Sequence, residues 1–203
     1  MIFFKDTRSI GVVFWAVTVL LGFNAVMVLL GAFTDDMVEL PDYVTDAKMY
    51  CLLIGIGSLI SALLYALIAH RVMSKKMTML EVLRSYVLTI GMCTVIGGAF
   101  AGAAIYLCTN MEDAALIATI VSLVLGIFIL LMGFAIGNGK KGFIKKVIWF
   151  ILVIAFIVMF VNAVLPADNF WQFAQHIANV LIAFFMLLFI VDEEVRIDMG
   201  AKY

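Results

Sequence analysis

Six long stretches without a charged residue constrain this chain more than any other feature. They cover residues 10–33, 49–69, 85–107, 114–136, 147–165 and 174–191. A helix that crosses the hydrocarbon core of a bilayer needs about 20 apolar residues, so each stretch has the required length. Only helices and closed barrels satisfy their backbone in lipid, and no strand alternation favours a barrel. The sequence predicts an all-α polytopic membrane protein with six transmembrane helices in a single bundle and no soluble domain.

Composition excludes several other classes of protein. The chain has 203 residues, of which 66% are hydrophobic and 13% charged. Soluble domains are about 45–50% apolar and about 25% charged, so a water-facing surface cannot be built from this chain. Disorder and nucleic-acid binding are excluded on the same grounds, and the bilayer is the expected partner.

Lysine and arginine are concentrated in every second segment outside the six uncharged stretches. Cytoplasmic loops of membrane proteins are enriched in these residues. With Lys48 as the exception, all of them fall on one predicted side: Lys5, Arg8, Arg71, Lys75, Lys76, Arg84, Lys140, Lys141, Lys145, Lys146, Arg196 and Lys202. This pattern predicts a multi-pass protein of the cell membrane, with both termini cytoplasmic and three consecutive helical hairpins. The first stretch is expected to be a retained signal anchor, since no cleavage site follows it.

Short motifs predict where several helices begin and end. The segments 78–81, 109–112 and 169–172 each fit a capping box, in which the first and fourth side chains bond each other's backbone amides. The third, fourth and sixth helices are therefore expected to begin at these points. Gly137-Asn138-Gly139 is expected to end the fourth helix and Pro166 the fifth.

Small residues recur at helical spacing in the third and fourth stretches. Gly98 and Gly102 are four residues apart and follow Gly97, and Gly133 and Gly137 repeat the spacing. Such faces let membrane helices approach closely. They predict either packing within one bundle or docking of a second copy or another membrane protein, and one sequence leaves both open.

Neutral polar residues lie at similar depths in several of the predicted helices. At about 1.5 Å rise per residue, four of the helices place one roughly 13–15 Å from their outer ends. A polar cavity open to the outside is one interpretation; bonding of Ser and Thr to their own helix, with Asn tying helices together, is the other. The candidates for the cavity are Asn24, Ser58, Thr119, Asn162, Gln172, His176 and Asn179.

Residues suited to catalysis or metal binding are scarce. His176 is the one ionisable His, Asp, Glu, Lys or Arg within the six stretches, and it is either a pH-sensitive group or an interfacial anchor. It lies at the opposite membrane side from His70, so the two cannot share a metal. No catalytic, phosphate-binding or metal motif is present, so we expect a non-enzymatic protein without cofactor or metal.

Two of the three cysteines lie at the outer ends of their predicted helices. Cys51 and Cys108 are placed where oxidation can occur, which makes a disulfide between them a testable expectation. Cys93 is expected to be an ordinary packing residue.

Three consecutive hairpins with glycine-rich stretches such as Gly55-Ile56-Gly57 and Gly97-Gly98 resemble the small HdeD-like membrane proteins. This resemblance in architecture implies a link to acid resistance. Two functions follow as expectations: a conduit or stress-response protein that passes or senses a small solute or ion, or a structural subunit whose glycine faces dock other membrane proteins. No functional residue is transferred by the resemblance.

Overall fold

The computed structural model describes residues 6–34, 40, 42–137, 142–164 and 173–201. Within these ranges the chain is all-α, and six of its helices are long and apolar enough to cross a membrane, which confirms the predicted all-α class and the six apolar helices. The helices are α1 (Arg8–Gly31), α2 (Ala47–Ser74), α3 (Met79–Cys108), α4 (Glu112–Ile136), α5 (Phe143–Val164), α6 (Phe173–Ile190) and the short α7 (Glu193–Asp198).

Several helices extend beyond the uncharged stretches that predicted them. α2 continues to Ser74, and α3 begins at Met79 because Thr78 and Glu81 form the predicted capping box. The Thr78 amide donates to the Glu81 carboxylate at 2.9 Å, and the Glu81 amide donates to the Thr78 hydroxyl at 3.3 Å. Hydropathy marks the part of a helix that crosses hydrocarbon, whereas capping decides where its backbone starts.

The capping box predicted at residues 109–112 is wrong. Thr109 is the C-terminal cap of α3, and its hydroxyl donates to the Ile105 carbonyl at 2.6 Å. The same hydroxyl accepts the Met111 amide at 3.1 Å, so it belongs to the turn between the helices. α4 starts after Met111 without a side-chain cap. The predicted box at residues 169–172 and the helix stop at Pro166 lie outside the described residues.

The six long helices pack as consecutive antiparallel pairs. α1 lies against α2, α3 against α4 and α5 against α6, while α2 also packs on α3 and α1 on α6. α4 has its main contact with α3 and is otherwise at the edge of the bundle. We call the end where α1, α3 and α5 begin the basic end, since it carries Arg8, Arg84 and Lys145, and the other end, with Asp46 and Glu112, the acidic end.

Four aromatic side chains join the helix pairs in the basic half of the bundle. This aromatic cluster consists of Phe14 of α1, Tyr65 of α2, Tyr86 of α3 and Phe156 of α5. Ring centroids lie 5.7 Å apart for Phe14 and Tyr86, 6.5 Å for Tyr65 and Tyr86, and 5.8 Å for Tyr86 and Phe156. Pairs in this geometry contribute about 0.5–1.5 kcal/mol each beyond their buried area. Tyr86 therefore connects three other helices.

Candidate functional site

A cavity of about 290 Å³ lies among α1, α2, α3 and α6. We call it the polar cavity. Every residue that lines it is uncharged, so a neutral guest matches the site better than an ion does, because an ion in the membrane needs compensating charge. The lining combines five hydrogen-bonding or thiol side chains, two glycines and four apolar residues: Asn24, Ser58, Ser61, Cys93, Gln175, Gly57, Gly97, Leu21, Ile54, Phe100 and Ala101.

Asn24 provides the most informative side chain of the polar cavity. It lies on the last two turns of α1 with 2% of its surface exposed. Its amide nitrogen donates to the Gln175 side-chain oxygen at 3.3 Å. Its own oxygen, Oδ1, is buried and has no hydrogen-bond partner within the described part of the chain. An unsatisfied buried acceptor costs about 1–3 kcal/mol, so a guest that donates a hydrogen bond would be stabilised here.

Gln175 was missed by the sequence reasoning, although α6 carries a signal for it. The buried face of α6 contains Ala178, Ile182, Met186 and Phe189, at spacings of three and four residues. Gln175 continues that face by one more step toward the acidic end. The face predicted instead, with Gln172, His176 and Asn179, points elsewhere: His176 is half-buried and Asn179 is exposed, and Gln172 lies outside the described residues.

The predicted polar residues divide according to which way each helix faces. Asn24 and Ser58 line the polar cavity, whereas Asn162, His176 and Asn179 do not. Thr119 is also absent from the lining, because its hydroxyl donates to the Ala115 carbonyl of its own helix at 2.8 Å and lies against α3. Counting residues along a helix estimates depth, but depth does not determine rotation about the helix axis.

Ser61 both lines the cavity and bonds to its own helix, which are the two alternatives that the sequence leaves open for polar residues. It lines the polar cavity, and its hydroxyl donates to the Gly57 carbonyl at 3.0 Å. Self-bonding uses the only proton of the hydroxyl but leaves oxygen lone pairs, so Ser61 remains available as an acceptor.

The glycines of α3 serve two different surfaces. Gly98 and Gly102 contact Ser122 and Thr119 of α4, where an added Cβ would overlap the facing side chain. Gly133 and Gly137 of α4 meet side chains of α3 in the same way, with Leu88 and Arg84 opposite them. We call this contact the glycine seam. Because helices of the same chain cover these four glycines, the docking surface predicted for a second copy or another membrane protein is occupied.

Gly97 does not belong to the glycine seam, which corrects its predicted packing role. A Cβ built on Gly97 meets no atom within 4 Å, and the residue lines the polar cavity. Adjacent helix positions point about 100° apart, so α3 presents Gly98 to α4 and Gly97 to the interior. The absence of a side chain at Gly97 therefore creates volume instead of allowing contact.

The aromatic cluster lies on the basic side of the polar cavity. Tyr65 follows Ser61 by one turn of α2, and Tyr86 precedes Cys93 by two turns of α3. Both tyrosines are buried in the hydrophobic core. At the other end, Gln175 is exposed and lies three residues into α6. Of the residues that line the cavity, Gln175 is therefore the one nearest the acidic end of α6, and the two tyrosines lie on the basic side without lining it.

Among the described residues, the cysteines and acidic residues form neither a disulfide nor a metal site. Cys51 and Cys108 are both buried, and the structure records them as free thiols without the predicted bond between them. Cys93 lines the polar cavity, where packing alone had been expected. Across the described ranges, no group of three or more His, Cys, Asp or Glu residues is placed to hold a metal ion.

Comparison of the chain with protein-family models, curated proteins and solved structures returns no match. No family model therefore supports the architectural resemblance to HdeD-like proteins. A function has to be inferred from the geometry of the polar cavity.

Proposed function

We propose that this membrane protein is non-enzymatic and binds a small uncharged polar solute in the polar cavity, which it passes across the membrane. The supporting observation is the Oδ1 atom of Asn24, buried and without a hydrogen-bond partner among the described residues. A solute with an N–H or O–H group would satisfy it. Small amides and polyols, such as urea and glycerol, have this chemistry.

The remaining lining is consistent with such a guest. The Gln175 amide and the hydroxyls of Ser58 and Ser61 offer further donors and acceptors, while Leu21 and Phe100 supply apolar walls. Ligand sites commonly combine apolar walls with a few placed polar groups. Passage toward the basic end requires movement of Tyr65 and Tyr86, which makes the aromatic cluster the gate in this proposal.

Orientation follows from the distribution of basic residues. We infer that the basic end is cytoplasmic, that both termini are inside the cell, and that the polar cavity is reached from the outer side of the cell membrane. The exposed residues Lys48 and Lys75 lie at opposite ends of α2 and test this assignment. In a cysteine-free background, an impermeant maleimide should label Lys48→Cys on intact cells and Lys75→Cys only after lysis. The reverse pattern would invert the topology.

Solute flux into proteoliposomes tests the conduit. Urea and glycerol entry, followed by light scattering, should exceed that of protein-free vesicles and return to the vesicle level in Gly97→Leu, which fills the cavity. Asn24→Leu should reduce flux by removing the free acceptor. Gly22→Leu is the matched control: it adds the same side chain near Asn24, in space where a Cβ meets nothing within 4 Å and outside the lining.

Flux and thermal stability together separate the outcomes. If flux is absent but glycerol raises the melting temperature of the wild type and not of Gly97→Leu, the cavity is a sensor site, and the resemblance to HdeD-like proteins favours a stress-response setting. If glycerol and urea produce neither effect, the proposed solute is wrong. A structural-subunit function has less support, because the glycine faces on which it depends are covered within the chain.

A further inference from the structure

A second cavity of about 290 Å³ lies at the basic end, among α3, α4, α5 and α7. We call it the basic-end pocket. Its lining includes Arg84 and Ile136, which stand at the boundary where uncharged stretches of α3 and α4 start or stop. In a bilayer this level is the region of the lipid headgroups. The basic-end pocket is separate from the polar cavity, with which it shares no lining residue.

Lys145 is the most unusual residue in the basic-end pocket. It is 4% exposed, and no hydrogen bond or ion pair of its ammonium is found among the residues that the structure describes. Buried charges are normally paired, because removal of an ion from water without a partner is costly. A lysine in this state is suited to receive an anionic group that enters the pocket.

Arg84 brings a second cation to the same pocket. Its guanidinium lies over Gly137, where an added Cβ would be 2.5 Å from Cζ, so the glycine allows the close approach. The Arg84 Nε is buried and lacks a hydrogen-bond partner within the described ranges. Arginine forks bind phosphate through parallel hydrogen bonds, and lysine binds it as a point charge. Together, the two side chains match a phosphate group.

Three carboxylates, those of Glu81, Glu194 and Asp198, line the same pocket. Glu81 bonds the Thr78 amide through one oxygen, and Glu194 lies on α7. Asp198 has an interaction partner of its own, and no ion pair of Glu81 or Glu194 with Arg84 or Lys145 is found among the described residues. A ligand with a phosphate alone would meet uncompensated negative charge here. A ligand with a phosphate and an ammonium group would match both sets of side chains.

We propose that the basic-end pocket binds a zwitterionic headgroup made of a phosphate and a primary ammonium, as in phosphatidylethanolamine. The phosphate contacts Arg84 and Lys145, and the ammonium lies beside Glu81 and Glu194. The location at headgroup depth favours a membrane lipid as the source, and free phosphoethanolamine presents the same two charges. The site adds a lipid-binding function to the solute-binding function proposed for the polar cavity, and neither depends on the other.

Lipid retention by the full-length purified protein tests this site. Delipidated protein is incubated with mixed micelles of phosphatidylethanolamine or phosphatidylglycerol, and bound lipid is counted by native mass spectrometry. The wild type should prefer phosphatidylethanolamine. Lys145→Gln and Arg84→Gln should each weaken its retention by roughly tenfold, which corresponds to about 1.4 kcal/mol. Lys146→Gln is the matched control, because it removes the same charge from the exposed neighbouring position.

The ammonium contact has its own variant and competitors. Glu194→Gln should reduce retention of phosphatidylethanolamine and leave that of phosphatidylglycerol unchanged. Displacement of the lipid by phosphoethanolamine, at concentrations where inorganic phosphate does not displace it, shows that the free headgroup is also recognised. If phosphoethanolamine does not displace the bound phosphatidylethanolamine either, the intact lipid is the ligand. Equal displacement by inorganic phosphate, or equal retention of the two lipids, would overturn the zwitterionic assignment.

Thermal stability distinguishes a ligand-binding lysine from a structural one. Without added lipid, Lys145→Gln should melt at the same temperature as the wild type or higher, because the buried Lys145 side chain makes no ion pair among the described residues that the substitution would remove. Phosphatidylethanolamine should then raise the melting temperature of the wild type and not of the variant. A large loss of stability in lipid-free Lys145→Gln would mean that Lys145 has a structural partner, and the proposal would fail.

Discussion

Two adjacent glycines on α3 have opposite surroundings. Gly98 belongs to the glycine seam, where it touches Ser122 of α4, while Gly97 lines the polar cavity and has no neighbour for an added Cβ within 4 Å. One face of α3 is therefore packed closely against α4, and the adjacent face at Gly97 opens onto the polar cavity. The same residue type produces contact on one side and empty volume on the other.

The difference follows from what covers each face. Gly91 of α3 and Gly126 of α4 continue the glycine seam between Gly98 and Gly133, so each helix offers a groove to the other. Close packing of this kind drives membrane helices together where lipid supplies no hydrophobic force. In the polar cavity, α1 and α6 contribute Asn24 and Gln175, which are joined by a hydrogen bond of 3.3 Å.

Gly102→Leu should have the largest effect of the changes that test this contrast. An added Cβ would already overlap the Thr119 hydroxyl, and a leucine must push α4 away. Overpacking of this severity costs about 3 kcal/mol or more. Unfolding free energy measured in bicelles should fall by that amount, while Gly97→Leu, the same change on the cavity face, should lose less than a third as much. Equal losses would mean that the two faces do not differ.

The Asn24–Gln175 hydrogen bond should contribute the next largest effect. A double-mutant cycle with Asn24→Leu and Gln175→Leu is expected to give a coupling energy of about 1 kcal/mol, typical for polar pairs between membrane helices. Asn24→Leu combined with Asn179→Leu serves as the control and should be additive, since Asn179 is exposed and does not line the cavity. A coupling energy near zero in the first cycle would show that the Asn24–Gln175 hydrogen bond does not stabilise the protein.

Alanine at the two neighbouring glycines sharpens the comparison at smaller cost. Gly98→Ala should destabilise the protein by about 1–2 kcal/mol, because Ser122 must move to admit a Cβ. Gly97→Ala should leave stability unchanged or raise it by up to about 1 kcal/mol, since alanine has the higher helix propensity and its methyl group enters empty space. The change in melting temperature of each variant relative to the wild type, measured in one detergent, tests this. If both variants melt lower than the wild type by similar amounts, the difference between the two glycines is contradicted.

Asn162→Leu and Asn179→Leu should have the smallest effect. Both residues are exposed and lie outside the polar cavity. Their replacement is expected to change stability by less than about 0.5 kcal/mol and to leave urea flux at the wild-type level. A marked loss of flux in either variant would show that a second polar route exists outside the cavity described.

The candidate site could be predicted in part. Asn24 and Ser58 were identified because both are neutral polar residues at a similar depth, about 13 Å from the outer ends of their predicted helices. Gln175 was missed because the polar face of α6 was chosen by depth and spacing, whereas the buried face is the one that includes Ala178 and Ile182. Both faces have valid helical periodicity, and the contact with α1 decides between them.

Sequence by itself determined that the chain forms six helices long and apolar enough to cross a membrane, because the length and apolarity of each stretch are local properties. It also determined the start of α3, since Thr78 and Glu81 bond each other within four residues. Only the tertiary structure decided which face of each helix is turned inward. That choice depends on steric fit between residues far apart in the chain, such as Gly102 with Thr119 and Asn24 with Gln175, and helical periodicity leaves it open.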